Sequence, residues 1–268
     1  MQLIHISCLI RRLKCLKESE LASRWSIGIK DAHETVNATT QKFILNALHP
    51  IERRFQTKNA MLRYNNLNCQ FSSDTFFSNV KSLLQNTCAQ LFVTDFGYLK
   101  FSPMKQKSEA GFALKELIQD VGIPKHLHTD GAKELTLGTW KQICKETGIQ
   151  TTQTEAHSQW QSRTEIEIRE LKRHVRRLTS RSQTPTVLWD FCCQYVVELR
   201  NRIACLLLQL HGHTPYKMIT GNTPDISKFL EFTWYQPVWY YALPGIVFQW
   251  HTNSKNNSSD RDKIGASK

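Results

Sequence analysis

The sequence predicts an α/β protein, a mixed five-stranded sheet covered by helices and preceded by a small helical unit. Three observations carry this. From Cys69 onward, strand-like and helix-like segments alternate in the order β-β-β-α-β-α-β-α. The stretch 163–181 repeats Ile168, Leu171, Val175 and Leu178 at helical spacing, which builds a narrow core-facing stripe. A chain of 268 residues with 40% hydrophobic content can bury one substantial core and a smaller second unit.

Taken in order, residues 1–47 read as the helical unit. Leu21, Ala22 and Trp25 recur at helical spacing, Gly28 interrupts them, and Ala32, Val36 and Thr39 begin a second stripe. Two short helices around a glycine turn fit a helix-turn-helix whose second helix presents Lys30, His33, Thr35 and Asn37. They fit an ordinary αα-hairpin equally well. Periodicity fades over 48–68 and basic side chains gather there, so this stretch is read as a linker.

The main domain is placed at 69–230. "CQFSSD" (69–74) is a short strand that ends at Asp74; 87–95 and 98–104 are two more, joined by a hairpin turn at Phe96-Gly97. Ser108 is expected to cap the next helix, which carries Leu114, Leu117 and Ile118 on one face and stops at Gly122 and Pro124. "KHLHTD" (125–130) is the fourth strand, "TLGTWKQICKETG" a helix and 149–155 the fifth strand; the long helix follows from about Arg163 to Arg181. Residues 231–268 form an extension, polar and predicted disordered from about 251.

Lys+Arg 35 against Asp+Glu 23, a net charge of +12, favours a polyanionic partner, of which nucleic acid is the usual one. The eight cysteines lack the paired spacing of a zinc site and the density of a secreted disulfide scaffold, so they read as reduced thiols of an intracellular protein. No apolar run reaches the roughly 20 residues needed to cross a bilayer, so no membrane partner is expected.

Against that basic background, "HTDGAKE" sets Asp130 at a strand exit. Asp74 is expected at the end of the first strand, and ligand sites in open α/β sheets collect at such carboxyl ends. Glu165, in the first turn of the long helix, offers a third carboxylate. Three carboxylates from distant positions repel one another unless a cation neutralises them, so their convergence implies a divalent metal, and an all-oxygen set suits magnesium. Asp95 is a rival to Asp74, because it stands as far before Asp130 as Glu165 stands after it; turn chemistry at a hairpin tip accounts for it instead. Glu167 is a rival to Glu165, but two residues along a helix carry a side chain nearly to the far side, so only one of them can face the aspartates.

"SSDT", "HTDGAKELTLGTW" and "EAHSQWQSRTEIEIRELKR" together resemble the integrase core of retrovirus-like retrotransposons, closest to the copia type. The resemblance covers about residues 70–230 and weakens back toward Ser19. It implies a ribonuclease-H-like fold and a D,D,E triad of Asp74, Asp130 and Glu165 that binds two Mg2+ (or Mn2+) ions. The activity implied is metal-dependent phosphoryl transfer at DNA ends: water as nucleophile trims the element's end, and a 3′-hydroxyl joins it to target DNA. Element ends and target DNA are then the partners, a homo-oligomer the expected assembly and the nucleus the expected place of action, with the chain a truncated piece of a retrotransposon polyprotein.

Cations accompany the expected triad. Arg169, Lys172 and Arg176 follow Glu165 along one face of the long helix, a line able to hold a phosphate backbone. Arg163, Arg173 and Lys133 complete the expected nucleic-acid-binding set, and His128 also flanks Asp130. The alternative reading of the helix is a solvated face laced with Glu-to-Arg pairs. Where the family carries a loop like "PxSPWQNRAE", this chain has Ala156, Gln159, Ser162 and Thr164; two lost prolines loosen the loop and a lost asparagine removes an amide near DNA. His5, Cys8, Cys15, His33 and His49 do not make the spacing of the His-His-Cys-Cys zinc module of many integrases. Two other functions therefore stay open: a catalytically inactive nucleic-acid-binding remnant, and a ribonuclease-H-type nuclease.

Overall fold

The computed structural model describes residues 15–42, 65–130, 132, 135, 138–153, 163–204 and 210–237. Its elements are α1 (Glu18–Trp25), α2 (Ile29–Ala38), β1 (Asn66–Phe77), β2 (Cys88–Thr94), β3 (Leu99–Met104), α3 (Ala110–Asp120), β4 (Ile123–Thr129), α4 (Gly138–Thr147), β5 (Gln150–Gln153), α5 (Arg163–Ser182), α6 (Trp189–Arg200) and α7 (Pro215–Thr220). The strands form one sheet in the order β3-β2-β1-β4-β5. β1, β2 and β3 run antiparallel as a meander, and β4 and β5 run parallel to β1. A meander feeding a helix-connected parallel pair is the ribonuclease-H-like arrangement, and helices flank the sheet on both faces.

Alternation along β2 shows how the sheet divides its side chains. Every residue of this interior strand is buried, and odd and even positions go to opposite faces. Cys88 and Phe92 join Phe71, Leu127 and Met104 in a core closed by Leu114 and Leu117 of α3 and by Trp140 and Ile143 of α4. Phe92 and Trp140 stack there with parallel rings. Ala89, Leu91 and Val93 join Phe76, Leu99 and Phe101 on the other face, beneath Ile168 and Leu171 of α5 and Trp189, Val196 and Val197 of α6. The expected stripe of the long helix is therefore seated, with Val175 and Leu178 packed at its margin.

Gly122 separates α3 from β4 at a point where only glycine fits. Its φ is +139°, and a Cβ there would lie 2.5 Å from the carbonyl oxygen of Asn65. The close approach lets the Ile123 amide donate to that carbonyl at 2.7 Å, which starts the β1–β4 pairing.

The structure departs from expectation at several elements. β1 does not stop at Asp74: Thr75, Phe76 and Phe77 continue it, paired with Gln90, Ala89 and Cys88. β-branched and aromatic residues favour such an extension, so the aspartate lies inside the strand and not at its exit. β1 also begins at Asn66, within the expected linker; 48–64 lie outside the described residues. Ser108 caps nothing, because a 3-10 turn (Lys107–Glu109) leads into α3 and Glu109 accepts the Lys105 amide instead. The break between α1 and α2 is a left-handed turn at Ser26 (φ 55°), with Gly28 in extended backbone. α6 is a helix that the sequence pattern does not announce.

The two amino-terminal helices pack on the rest of the described chain. Leu21, Trp25 and Ala32 share a core with Leu199, Ile226, Phe229 and Leu230. Thr35, expected on a presented face of α2, is fully buried, and its hydroxyl accepts the Ala204 amide at 2.9 Å. His33 instead contacts Glu18 at 2.8 Å and lies on the exposed side. Among the described residues no helix is long and apolar enough to cross a membrane, and Cys15, Cys69, Cys88, Cys144, Cys192 and Cys193 are all free thiols.

Candidate active site

Two of the carboxylates stand where a strand pairing ends. β1 and β4 are paired in parallel as far as Ser73 with Thr129; Asp74 follows within β1, Asp130 directly after β4, and the charge of Asp130 acts on Asp74. Alternation decides the face of Asp74. Ser73 opposes Thr129 on the α3 and α4 side, whereas Asp74 shares its side with Phe76 and pairs with Leu91, both part of the α5 and α6 core. Asp130 is the first residue after β4, and its Oδ1 accepts the Ala132 amide at 3.3 Å.

α5 brings the third group. Thr164, Ile168 and Leu171 are its buried positions, so its first turn lies against the sheet and Glu165 heads the helix beside that contact. The electrostatics of Asp74 show that both other carboxylates act on it. Its carboxyl is held above the usual carboxylate range, first by burial and then by the negative charges of Asp130 and Glu165. The Thr75 amide, donating to Asp74 Oδ1 at 2.6 Å, and the ammonium of Lys107 act in the opposite sense.

Both rivals are accounted for otherwise. Asp95 follows β2 at the hairpin and raises the thiol of Cys69, pushed up to about 11 mainly by burial. Thr94 pairs with Phe71, so Asp95 lies about four strand residues, roughly 14 Å, from Asp74 toward the start of β1. Glu167 is mostly buried and paired with Arg200, tying α5 to α6. Glu165, in contrast, is more than half exposed and lies 3.7 Å from Arg169 one turn on.

The donor set suits a hard divalent cation, since it is all carboxylate oxygen and carries a repulsion at Asp74 that such a cation would relieve. It is not closed: among the described residues, no group of three His, Cys, Asp or Glu side chains is gathered tightly enough to hold a metal ion. The stretch 154–162, which contains Ala156, Gln159 and Ser162, lies outside the described residues, as does Lys133.

The expected basic line is less uniform than its spacing suggests. Arg169 and Arg176 are exposed, Arg169 beside Glu165. Lys172 turns inward, its ammonium 5.1 Å from the Phe76 ring centre, where the ring face attracts it. Arg173 is paired with Glu170 one turn earlier, and Arg163 is half-buried. Sequence reasoning missed a polar group on the same face as Asp74: Ser72, His126, Gln150 and Thr152, with His128 contacting Thr152 at 3.0 Å. The alternation of "KHLHTD" carries part of that signal, but the β4–β5 register is needed to align the rest.

No protein-family model matches the chain, and no curated protein matches it. Solved structures to which it is similar include a chain of the simian T-cell lymphotropic virus intasome, at 18% identity and TM-score 0.49 over 69% of this chain and 63% of that one. The present chain thus spans less than two thirds of that intasome chain. Another is the HTLV-2 integrase catalytic core domain in complex with magnesium, at 17% identity and TM-score 0.46, covering 59% of this chain and 99% of that one. A third is the catalytic core domain of BIV integrase, at 20% identity and TM-score 0.45, covering 57% and 93%.

Proposed function

We propose that the protein is an integrase-like polynucleotidyl transferase, built to exchange one DNA phosphodiester for another at Asp74, Asp130 and Glu165 with Mg2+ or Mn2+ as cofactor. The observation that supports this reading is that Asp74 lies in β1 directly after its last pairing with β4, and that the charges of Asp130, which follows β4, and of Glu165, in the first turn of α5, both act on it. When bound, the metal would supply Lewis-acid activation of the nucleophile and charge stabilisation of the leaving oxygen. Asp74, fixed by its pairing in β1 and by the Thr75 amide, and Asp130, held by the Ala132 amide, would orient that cation. Glu165 would exchange Arg169 for it, freeing the guanidinium to meet a phosphate. The fold, the charge of +12 and the "HTDGAKE" and "SRTE" motifs support DNA as the substrate, the copia-type resemblance supports a retrotransposon origin, and a homo-oligomer acting in the nucleus belongs to the same reading.

A second reading has an observation of its own. Glu165 lies beside Arg169 and the three carboxylates do not close into a ligand cluster, which favours a nucleic-acid-binding remnant without chemistry. The two separate in a joining assay. The purified protein is incubated with labelled duplexes of randomised end sequence and Mg2+ or Mn2+, and products are sequenced. Joined strands that vanish with Asp130→Asn support the transferase; DNA binding without products supports the remnant. Cleavage confined to RNA–DNA hybrids would instead identify a ribonuclease-H-type nuclease.

A further inference from the structure

The sheet face that bears Asp74 continues past it as a polar floor. Across β1, β4 and β5, Gln70, His126 and Gln150 stand in one row and Ser72, His128 and Thr152 in the next. These six and Asp74 share one face by strand alternation, and Asp130 comes directly after β4. Gln150 and Thr152 are exposed, and the other four are partly so.

Two features set this floor apart from an ordinary solvated face. In a chain whose charged residues make up 22%, none of the six carries a formal charge with histidine neutral, yet every one can both donate and accept a hydrogen bond. β5 is moreover an edge strand, and such edges are usually guarded by lysine, proline or a bulge. Gln150–Gln153 has no lysine or proline and is exposed on both faces. A lysine or arginine within a few ångströms of Asp74 and Asp130 would pair with them and compete with a catalytic cation. Neutral donors can hold a phosphate or sugar oxygen close by without that competition.

We infer that this floor is the track of the DNA strand carrying the scissile phosphodiester, held by neutral hydrogen bonds from Gln70, His126, Gln150 and Thr152 and led to Asp74 and Asp130. The inference rests on the phosphoryl-transfer reading and names the surface that delivers its substrate. Contacts of this kind release no counterions, so they add affinity without adding salt dependence.

β5 supplies a matched test, since Gln150 and Thr152 face the floor while Thr151 and Gln153, equally exposed, face away. Fluorescence anisotropy of labelled single-stranded and duplex oligonucleotides is measured with the full chain and the paired variants. Gln150→Glu with Thr152→Glu is expected to weaken binding by about tenfold or more, and Thr151→Glu with Gln153→Glu by less than about twofold. Gln150→Ala with Thr152→Ala, which adds no charge, is expected to weaken binding about five- to tenfold with an unchanged slope of log affinity against log salt. Equal losses from the two glutamate pairs, wild-type binding by the alanine pair, or no DNA binding at all would overturn the inference. Should the floor variants bind normally while strand joining persists, the floor fails and the transferase stands. Should they weaken binding in a protein that joins nothing, the floor stands and the chemistry fails.

Discussion

The face of the sheet beneath α5 and α6 has two halves that meet at β1. On one side Leu91 and Val93 of β2 and Leu99 and Phe101 of β3 are sealed under Ile168, Leu171, Trp189 and Val197. On the other, at the same height in the same sheet, lie His128, His126, Gln150 and Thr152, open to solvent in whole or part, with Asp130 directly after β4. The backbone ladder is continuous across the boundary, so side chains alone make one half a core and the other a candidate site. Asp74 stands on the seam, paired with Leu91 in the first half and acted on by the charge of Asp130, which follows β4 of the second. That position explains why burial is the first cause of its raised proton affinity and like charge a further one.

The largest effect that would test this division is chemical. Asp130→Asn keeps shape and hydrogen bonding but removes a charge needed to hold a cation, so strand joining should fall by at least about a hundredfold. DNA affinity should stay equal or rise slightly, because repulsion toward phosphate is reduced. A loss of affinity parallel to the loss of joining would place Asp130 in the structural half instead.

Stability should separate the halves next. Phe101→Ala removes a buried ring that meets Trp189 edge-on, and its cost should be about 3–5 kcal/mol by denaturant unfolding. Gln150→Ala should cost within about 0.5 kcal/mol. Comparable costs at both positions would mean that the polar half is packed after all. A smaller effect is expected from the cations of α5: Arg169→Ala with Arg176→Ala should flatten the salt dependence of DNA binding by about one slope unit per lost phosphate contact. Lys172→Ala should change the slope less than either, since its ammonium rests over Phe76.

The smallest expected effect lies in the pH dependence of folding. Asp74 has a native proton affinity above that of the unfolded chain, so in the window between the two the folded state holds more protons. Stability contributed by this group therefore falls as pH rises through that window and returns on acidification. Asp74→Asn should melt higher than wild type at neutral pH without metal, and that advantage should shrink as pH falls through the window. A variant that melts lower than wild type at neutral pH and gains on it as pH falls would show that Asp74 is stabilised as an anion.

Much of this fold is legible in the sequence, for reasons that differ by element. The α5 stripe is a local periodicity, so spacing alone assigns Ile168 and Leu171 to the interior. Asp130 is legible because "HTDGAKE" puts it directly after a strand. The extension of β1 through Phe77 is not, because pairing with Gln90, Ala89 and Cys88 is a long-range property. The inward turn of Lys172 is hidden for the same reason: its helical position matches Arg169 and Arg176, and only the Phe76 ring beneath it draws the ammonium away. Trp189–Arg200 shows no amphipathic stripe because it buries residues nearly all round, including Asp190, which accepts the Asn86 side-chain amide at 2.8 Å.

The most direct measurement is a thermal melt of wild type and Asp130→Asn with and without Mn2+ or Mg2+. If Asp74, Asp130 and Glu165 form a metal site, saturating cation at about a hundred times its dissociation constant should raise the wild-type midpoint by roughly 5–10 °C and leave Asp130→Asn nearly unmoved. The same shift in both proteins, or none in either, would contradict the account.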